Sequence, residues 1–534
     1  MAKLSWQSIA AAKRHELEDA ISEYKIEESL LDGTNTTSWP SASGLLSPRE
    51  LKITESRAVD LVEKLRSRDY SAVEVTVAFC KRAAIAQQAT NCIALVLFKE
   101  AVEQARALDE CMEKKGKPIG PLHGLPISVK EHIFLKGTPA TSGLIAWKDV
   151  ISPHDALIVK ILREAGAVFH VKTTNPQTLM ALETDSNLFG RTVNPFNRNL
   201  TPGGSSGGES AIIAMRGSPL GIGTDIGGSI RAPSAFCGGW GLKPSVARIP
   251  HGGLTGLHAG MENIIGCVGP MANSVEDLRL FCKVALDYEP WDHEPSLIGI
   301  PWRSTTVNDI PKKLTIGVIR HDGIVAPHPP IARAMEETID ALRAAGHDIV
   351  DWDPKYHLPL LEWIGKAYFL DGAQEYRDMT GPSDPAVPII KWLVDEAGER
   401  CTLEDSWQCN RDRDYLRTCY AEQWRSMGID AILCPANASA ASAHGESRYW
   451  GYTSVFNVLD LPGVVFPVTC VKETDTRAST LPIMSPKDQE YRDYYKEGPA
   501  KYRDAPICLQ LVGRRLQEEK LLAMAESVQL ALTR

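Results

Sequence analysis

Residues 203–208 read GGSSGG and residues 225–231 read DIGGSIR, so Ser205 and Ser229 stand 24 positions apart in two glycine-lined stretches. A Gly/Ser run is also the composition of a flexible linker, so the neighbouring residues decide its meaning. After the first block, ESAIIAMRG (209–217) reads as a short helix, PLGIGTD (219–225) as a strand, and SIRAPSAFCG (229–238) begins another helix. Before it, DALIVKILREAG (155–166) reads as a helix ending in glycine and AVFHVKTT (167–174) as a buried strand. GGSSGG therefore lies between elements of one sheet and opens directly into a helix. That position excludes an interdomain linker.

The alternation extends outward. PIGPLHGLPISVKEHIF (118–134) carries a short apolar strand, Leu125 to Val129, that ends at Lys130. KLTIGVIRHDG (313–323), AILCPANA (431–438) and GVVFPVTC (463–470) read as strands, and residues 331–352 as helix then strand. Residues 50–110 read as helices, with Ser71 as an N-cap and Glu74 completing a capping box. The charged, proline-containing stretch 470–505 reads as a surface excursion, and no internal repeat is present. Helices alternating with strands predict an α/β layered sheet.

With 534 residues, 43% hydrophobic and 23% charged, the chain has material for a large core, and length alone suggests two to four domains. A net charge of −9 argues against nucleic acid or an anionic membrane as the main partner. The 12 cysteines show neither CxxC pairs nor zinc spacing and read as reduced, mostly buried thiols. The N-terminal MAKLSWQSIAAAKRHELEDAI is a polar amphipathic helix without a signal-peptide core, and no run of about 20 apolar residues predicts a membrane span. A cytoplasmic protein is the expectation.

The two serine stretches suggest nucleophilic chemistry. A serine hydroxyl needs a base to take its proton and donors for the oxyanion formed on attack. Ser229 follows a strand and precedes a helix, with Gly227 and Gly228 clearing space for a substrate, and Ile226 to Ser229 present a row of amides. One of Ser205 and Ser206 is accounted for as an N-cap, but two serines among four glycines exceed what capping requires. No histidine stands in an obvious catalytic setting, although His123 and His132 lie near the lysine strand. Lys130 ends an apolar strand, where a charge is costly unless paired, and burial would lower its pKa toward that of a base. An exposed strand-end lysine, or a salt bridge to Glu131, is the alternative. Gly204-x-Ser206-x-Gly208 matches a nucleophile elbow, but the polar, turn-rich NPFNRNLTP (194–202) stands where the elbow needs a strand. A phosphate loop fails for lack of a Lys-Ser/Thr pair, and no metal-ligand spacing is present.

Taken together, GLPISVKE (124–131), GGSSGGES (203–210) and GIGTDIGGSIRAPSAFCGGWGLKP (221–244) resemble the amidase signature family in content and order. The likeness is nearest to the fungal acetamidase-type general amidases and more distant to fatty acid amide hydrolase. It extends through KTTNPQTLM (172–180), NSVEDLRLF (273–281), FNVLDLPGVVFPV (456–468) and ICLQLVGRRL (507–516). The resemblance implies one large α/β/α domain over 51–534, a mixed sheet covered by helices on both faces, preceded by a helical arm over 1–50. It implies that Ser229 is the acyl-accepting nucleophile, Ser205 a bridging serine held by a cis peptide bond, and Lys130 the base. It further implies an oxyanion hole of Ile226, Gly227, Gly228 and Ser229, supporting roles for Ser206, Asp225 and Arg231, and an acyl pocket lined by Leu179 and Met180. Ser210 departs from the family's usual glycine. The implied reaction is cofactor-free hydrolysis of a small aliphatic or aryl amide, with acylation and then deacylation by water. A homodimer is compatible with the resemblance. An esterase or carbamate hydrolase with the same triad, or an amidotransferase-type subunit, are the competing readings. Asn263-Ile264-Ile265 and 470–505 match no pattern, and substrate choice is sought there.

Overall fold

A computed structural model describes residues 5–27, 32–476 and 479–533. Eleven strands form one mixed sheet. Across it they run Ile93–Val96, Val168–Thr173, Pro126–Lys130, Leu220–Asp225, Cys267–Ala272, Trp240–Lys243, Gly463–Cys470, Pro506–Val512, Ala431–Pro435, Thr315–Val318 and Asp348–Asp351. Pro126–Lys130 is parallel to both of its neighbours, and a second parallel group joins the last three strands. The pairs between these groups are antiparallel.

Both faces of this sheet are packed, which is why its strands read as continuous apolar runs rather than alternating ones. Along Cys267–Ala272, Val268 and Ala272 join the cluster containing Leu278, Phe281 and Leu521. Met271 points the other way and packs with Cys80, Ala211 and Ile212. The same division recurs in Ala431–Pro435, where Leu433 and Ile432 belong to different clusters. The fold is the α/β sheet covered by helices that the sequence predicts.

Four local readings change. Residues 50–110 are not all helical: Ile93–Val96 is an edge strand, antiparallel to Val168–Thr173. Its four residues lie between two long helices, too short a window for periodicity to separate strand from helix. Ser71 does cap helix Ala72–Thr90, accepting from the Glu74 amide at 3.0 Å, but the Glu74 carboxylate turns to Arg49 instead of closing a capping box. The arm boundary at residue 50 falls inside helix Pro48–Glu55, whose own capping box is formed by Ser47 and Glu50. The N-terminal stretch that reads as an amphipathic helix holds helix Trp6–Ala20, and its residues 1–4 lie outside the described residues.

The stretch 470–505, of which 477–478 lie outside the described residues, is more than a surface excursion. Helix Pro486–Tyr494 and the turn Pro499–Tyr502 bring Tyr491, Tyr495 and Tyr502 around the buried His328 ring, with centroids 4.8 to 6.0 Å away. Among the described residues, no helix is long and apolar enough to cross a membrane.

Candidate active site

Strands Pro126–Lys130 and Leu220–Asp225 are parallel, with Val129 opposite Ile222, so their C-terminal ends open on the same edge of the sheet. Loops beyond such ends are where open α/β sheets place ligands. Lys130 ends the first strand, the loop after Asp225 carries Ser229, and Ser205 lies just ahead of helix Gly207–Ala214.

Lys130 has no solvent exposure, and its Nζ lies 2.6 Å from Ser205 Oγ and 2.9 Å from Thr224 Oγ1. It makes no salt bridge with Glu131, whose carboxylate instead accepts from the amides of Thr141 and Ser142. The Gly204–Ser205 peptide is cis. The Ser206 amide donates to the Ser229 carbonyl at 3.1 Å, tying the two serine stretches together, and Ser206 Oγ bridges the backbone of Thr224. Ser229 Oγ has no hydrogen-bond partner among the described residues. Ser205 and Ser229 both line one cavity of about 350 Å³, and so do Leu179 and Met180.

The electrostatics favour a neutral lysine. Burial pushes Lys130 down to about 7, against the pull of Asp225, Glu209 and Glu131. Two of these carboxyls are weakened as counter-charges. Glu209, buried and bonded to Ser128 and Thr173, is pushed by burial up to about 8. Asp225 is opposed by burial, yet Arg231 and Lys243 hold it well below the usual carboxylate range. Its charge is already matched, because the Arg231 guanidinium lies 3.0 Å away and neither side chain is exposed.

Asp225 also shapes the loop that follows. Its carboxylate accepts from the amides of Gly228 and Ile230 at 2.9 and 3.0 Å, and from Asn457 Nδ2 at 2.9 Å. The Gly228 amide is therefore engaged, which corrects the expectation of four convergent donors. Those of Ile226, Gly227 and Ser229 have no acceptor among the described residues. Tyr368 donates to the Ile226 carbonyl at 2.8 Å, and Thr453 to the Gly227 carbonyl at 2.7 Å. Because a trans peptide sets its N–H opposite its C=O, these two bonds fix where the following amides point.

The glycines serve this packing. A Cβ on Gly204 would lie 2.3 Å from the Glu183 carbonyl oxygen, and one on Gly227 would lie 2.3 Å from Tyr368 Oη. Gly203 has φ +85° and would meet Pro233 Cα at 2.5 Å. The expectation that Gly227 and Gly228 clear space for a substrate is thus corrected: Tyr368 and Thr453 occupy it. Ser210 bonds the carbonyls of Pro202 and Gly207 at 3.0 Å each, within the helix start.

Residues to which the sequence assigns no definite role complete the site. Thr224, His132, Tyr368 and Tyr376 line the cavity, as do Ile264 and Ile265 of the unassigned triplet. Asn263 anchors that triplet to helix Leu403–Met427 through Ser406 and Asn410. Thr453 and Asn457 lie more than 220 positions from the loop they bind, and no local signal marks them. A larger cleft of about 870 Å³ around Arg320 and Arg333 contains none of these residues.

Arg231→Met leaves the Asp225 carboxylate buried without its cation. It is expected to cost about 3–5 kcal/mol of stability, read from the midpoint of denaturant unfolding. An unchanged midpoint would show that the amides and Asn457 suffice to hold Asp225.

The amidase family model matches residues 74–522. An acetamidase of Emericella nidulans is 43% identical over 543 residues, covering 98% of both chains. An acetamidase of Aspergillus oryzae is 42% identical over 542 residues, covering 99% of both. A solved fatty acid amide hydrolase structure superposes with a TM-score of 0.93 at 34% identity, covering 99% of this chain and 95% of that one.

Proposed function

The chain belongs to the amidase family and is an amide hydrolase, and on that premise we propose that it cleaves small carboxylic amides through an acyl-enzyme formed on Ser229. The observation that carries this reading is the 2.6 Å contact between Lys130 Nζ and Ser205 Oγ, with the lysine fully buried and poised near neutrality. Neutral Lys130 takes the Ser205 proton while Ser205 takes that of Ser229, and Ser229 Oγ bonds to the amide carbon. The carbonyl oxygen gains the negative charge beside the amides of Ile226, Gly227 and Ser229. Collapse of this intermediate breaks the C–N bond, and the proton held at Lys130 passes to the departing amine. Water then repeats the sequence on the ester, releasing the acid and regenerating the serine.

The acetamidase relatives support a small acyl group. The cavity, with Leu179, Met180, Ile264, Ile265, Tyr368 and Tyr376 in its wall, accommodates an aliphatic or aryl one. Action in the cytoplasm on a small-molecule amide, without a cofactor, completes the proposal.

Lysine acts as a base only when deprotonated, so activity is expected to be lost below about pH 7 and to reach a plateau above it. Lys130→Met should flatten this acid limb and lower the plateau by about 10²–10⁴. A pH–rate profile of the variant that keeps the wild-type limb would assign the base elsewhere.

A further inference from the structure

The hydrogen-bond chain that reaches Lys130 continues past it. Lys130 Nζ meets Thr224 Oγ1 at 2.9 Å, and Thr224 Oγ1 meets His132 Nε2 at 3.1 Å. His132 Nδ1 lies 2.7 Å from the carbonyl oxygen of Thr255. Each bond in this chain has a direction that chemistry decides.

A carbonyl oxygen only accepts, so His132 Nδ1 must carry a proton. The ring is neutral, because burial disfavours its charge, and Lys172, with Lys130 whenever that lysine is protonated, adds repulsion. A neutral imidazole protonated on Nδ1 has a bare Nε2, which only accepts. The Thr224 hydroxyl therefore donates its one proton to His132. Toward Lys130 it offers a lone pair and nothing else. A neutral amine has one lone pair, and the hydrogen-bonding groups against this one are Thr224 and Ser205. With Thr224 restricted to accepting an N–H, the amine lone pair is kept for the Ser205 hydroxyl.

We propose that His132 is a positioning residue for proton transfer, which acts through Thr224 to hold the Lys130 lone pair toward Ser205. The inference rests on the reading of Lys130 as the base. It gives a role to a histidine with no catalytic setting in the sequence. It also explains why Thr224, a part-buried strand residue, faces both a lysine and a ring nitrogen.

The charged and titratable groups around this chain are known. Asp225, Glu209 and Glu131 act on Lys130. Lys130 and Lys172 act on His132, and His251 and His258 line the same cavity. His132→Phe keeps a ring but removes the acceptor, which frees the Thr224 hydroxyl to turn and donate to the amine. That donation stabilises the neutral amine, so the acid limb should move to lower pH. It also engages the lone pair, so the plateau should fall about tenfold, the scale of one misdirected hydrogen bond. A merely structural role predicts the opposite shift, since loosened packing would admit water and return Lys130 toward its ordinary, higher pKa.

The test follows inactivation of the full chain by a fluorophosphonate from about pH 5 to about pH 10, which reads proton removal from Ser229 without an amide substrate. The expected result for His132→Phe is a lower plateau and an acid limb displaced downward. Thr224→Ser should retain the wild-type profile, and Thr224→Val should lower the plateau. Adding His132→Phe to Thr224→Val should lower it no further, because the link is already gone. An upward displacement of the limb, or additive losses in the double variant, would overturn the proposal. If His132→Phe does not fold, the Thr224 pair decides: equal losses in Thr224→Ser and Thr224→Val would overturn it. Lys130→Met separates this inference from its premise. If that variant keeps the acid limb, the base assignment fails. If it loses the limb while His132→Phe behaves as wild type, only the role of His132 fails.

Discussion

Ser229→Ala is expected to remove covalent labelling by a fluorophosphonate and to lower kcat by at least about 10³, the scale of losing a covalent nucleophile. Ser229 lies at the turn between strand Leu220–Asp225 and helix Arg231–Phe236, is almost fully buried, and lines the cavity. Its hydroxyl is free of competing partners among the described residues, while its carbonyl is held by the Ser206 amide. Removing Oγ leaves the loop geometry supported by Asp225, Tyr368 and Thr453, so the loss should appear in kcat and labelling rather than in folding. Residual labelling of the variant at wild-type stoichiometry would move the nucleophile to another residue.

What was legible from the residues was mainly local. Lys130 stood out because a charge at the end of ISV must be paired or neutral, and the structure shows it unpaired and buried. The GGSSGG stretch required close approach of something to its backbone. That something is the chain itself, and the partners are distant in sequence: Glu183 against Gly204, Pro233 against Gly203, Thr174 against Gly208. No property of a glycine names its neighbour. The donor set of the loop was overcounted for a related reason, since the carboxylate that claims the Gly228 amide is Asp225, visible in the motif but without direction there. Thr224 was invisible because a threonine in a strand is ordinary, and only the register against Pro126–Lys130 places it beside the lysine. Asn263-Ile264-Ile265 carried no pattern, since its contribution depends on helix Leu403–Met427 some 140 positions later.

The two serines of the central stretch are expected to differ sharply. Ser205 Oγ already meets Lys130 Nζ at 2.6 Å and shares the cavity wall with Ser229. As a relay it must accept one proton as it gives up another, so deleting its hydroxyl interrupts both transfers. Ser206 is oriented differently. Among the described residues its Oγ bonds only the Thr224 backbone, at 3.3 Å to the amide and to the carbonyl, and its own amide holds the Ser229 carbonyl. Ser206→Ala keeps that amide and loses long contacts worth about 0.5–1.5 kcal/mol, or roughly tenfold in rate at most. Ser205→Ala is expected to cost about 10³ or more in kcat, with the acid limb assigned to Lys130 weakened or lost. The alternative, an elbow-type nucleophile at Ser206, inverts this order and places the acyl group there. Mass spectrometry of the peptide modified by a slow acylating inhibitor distinguishes the two: the label is expected on Ser229, and a label on Ser206 would overturn both the nucleophile and the relay.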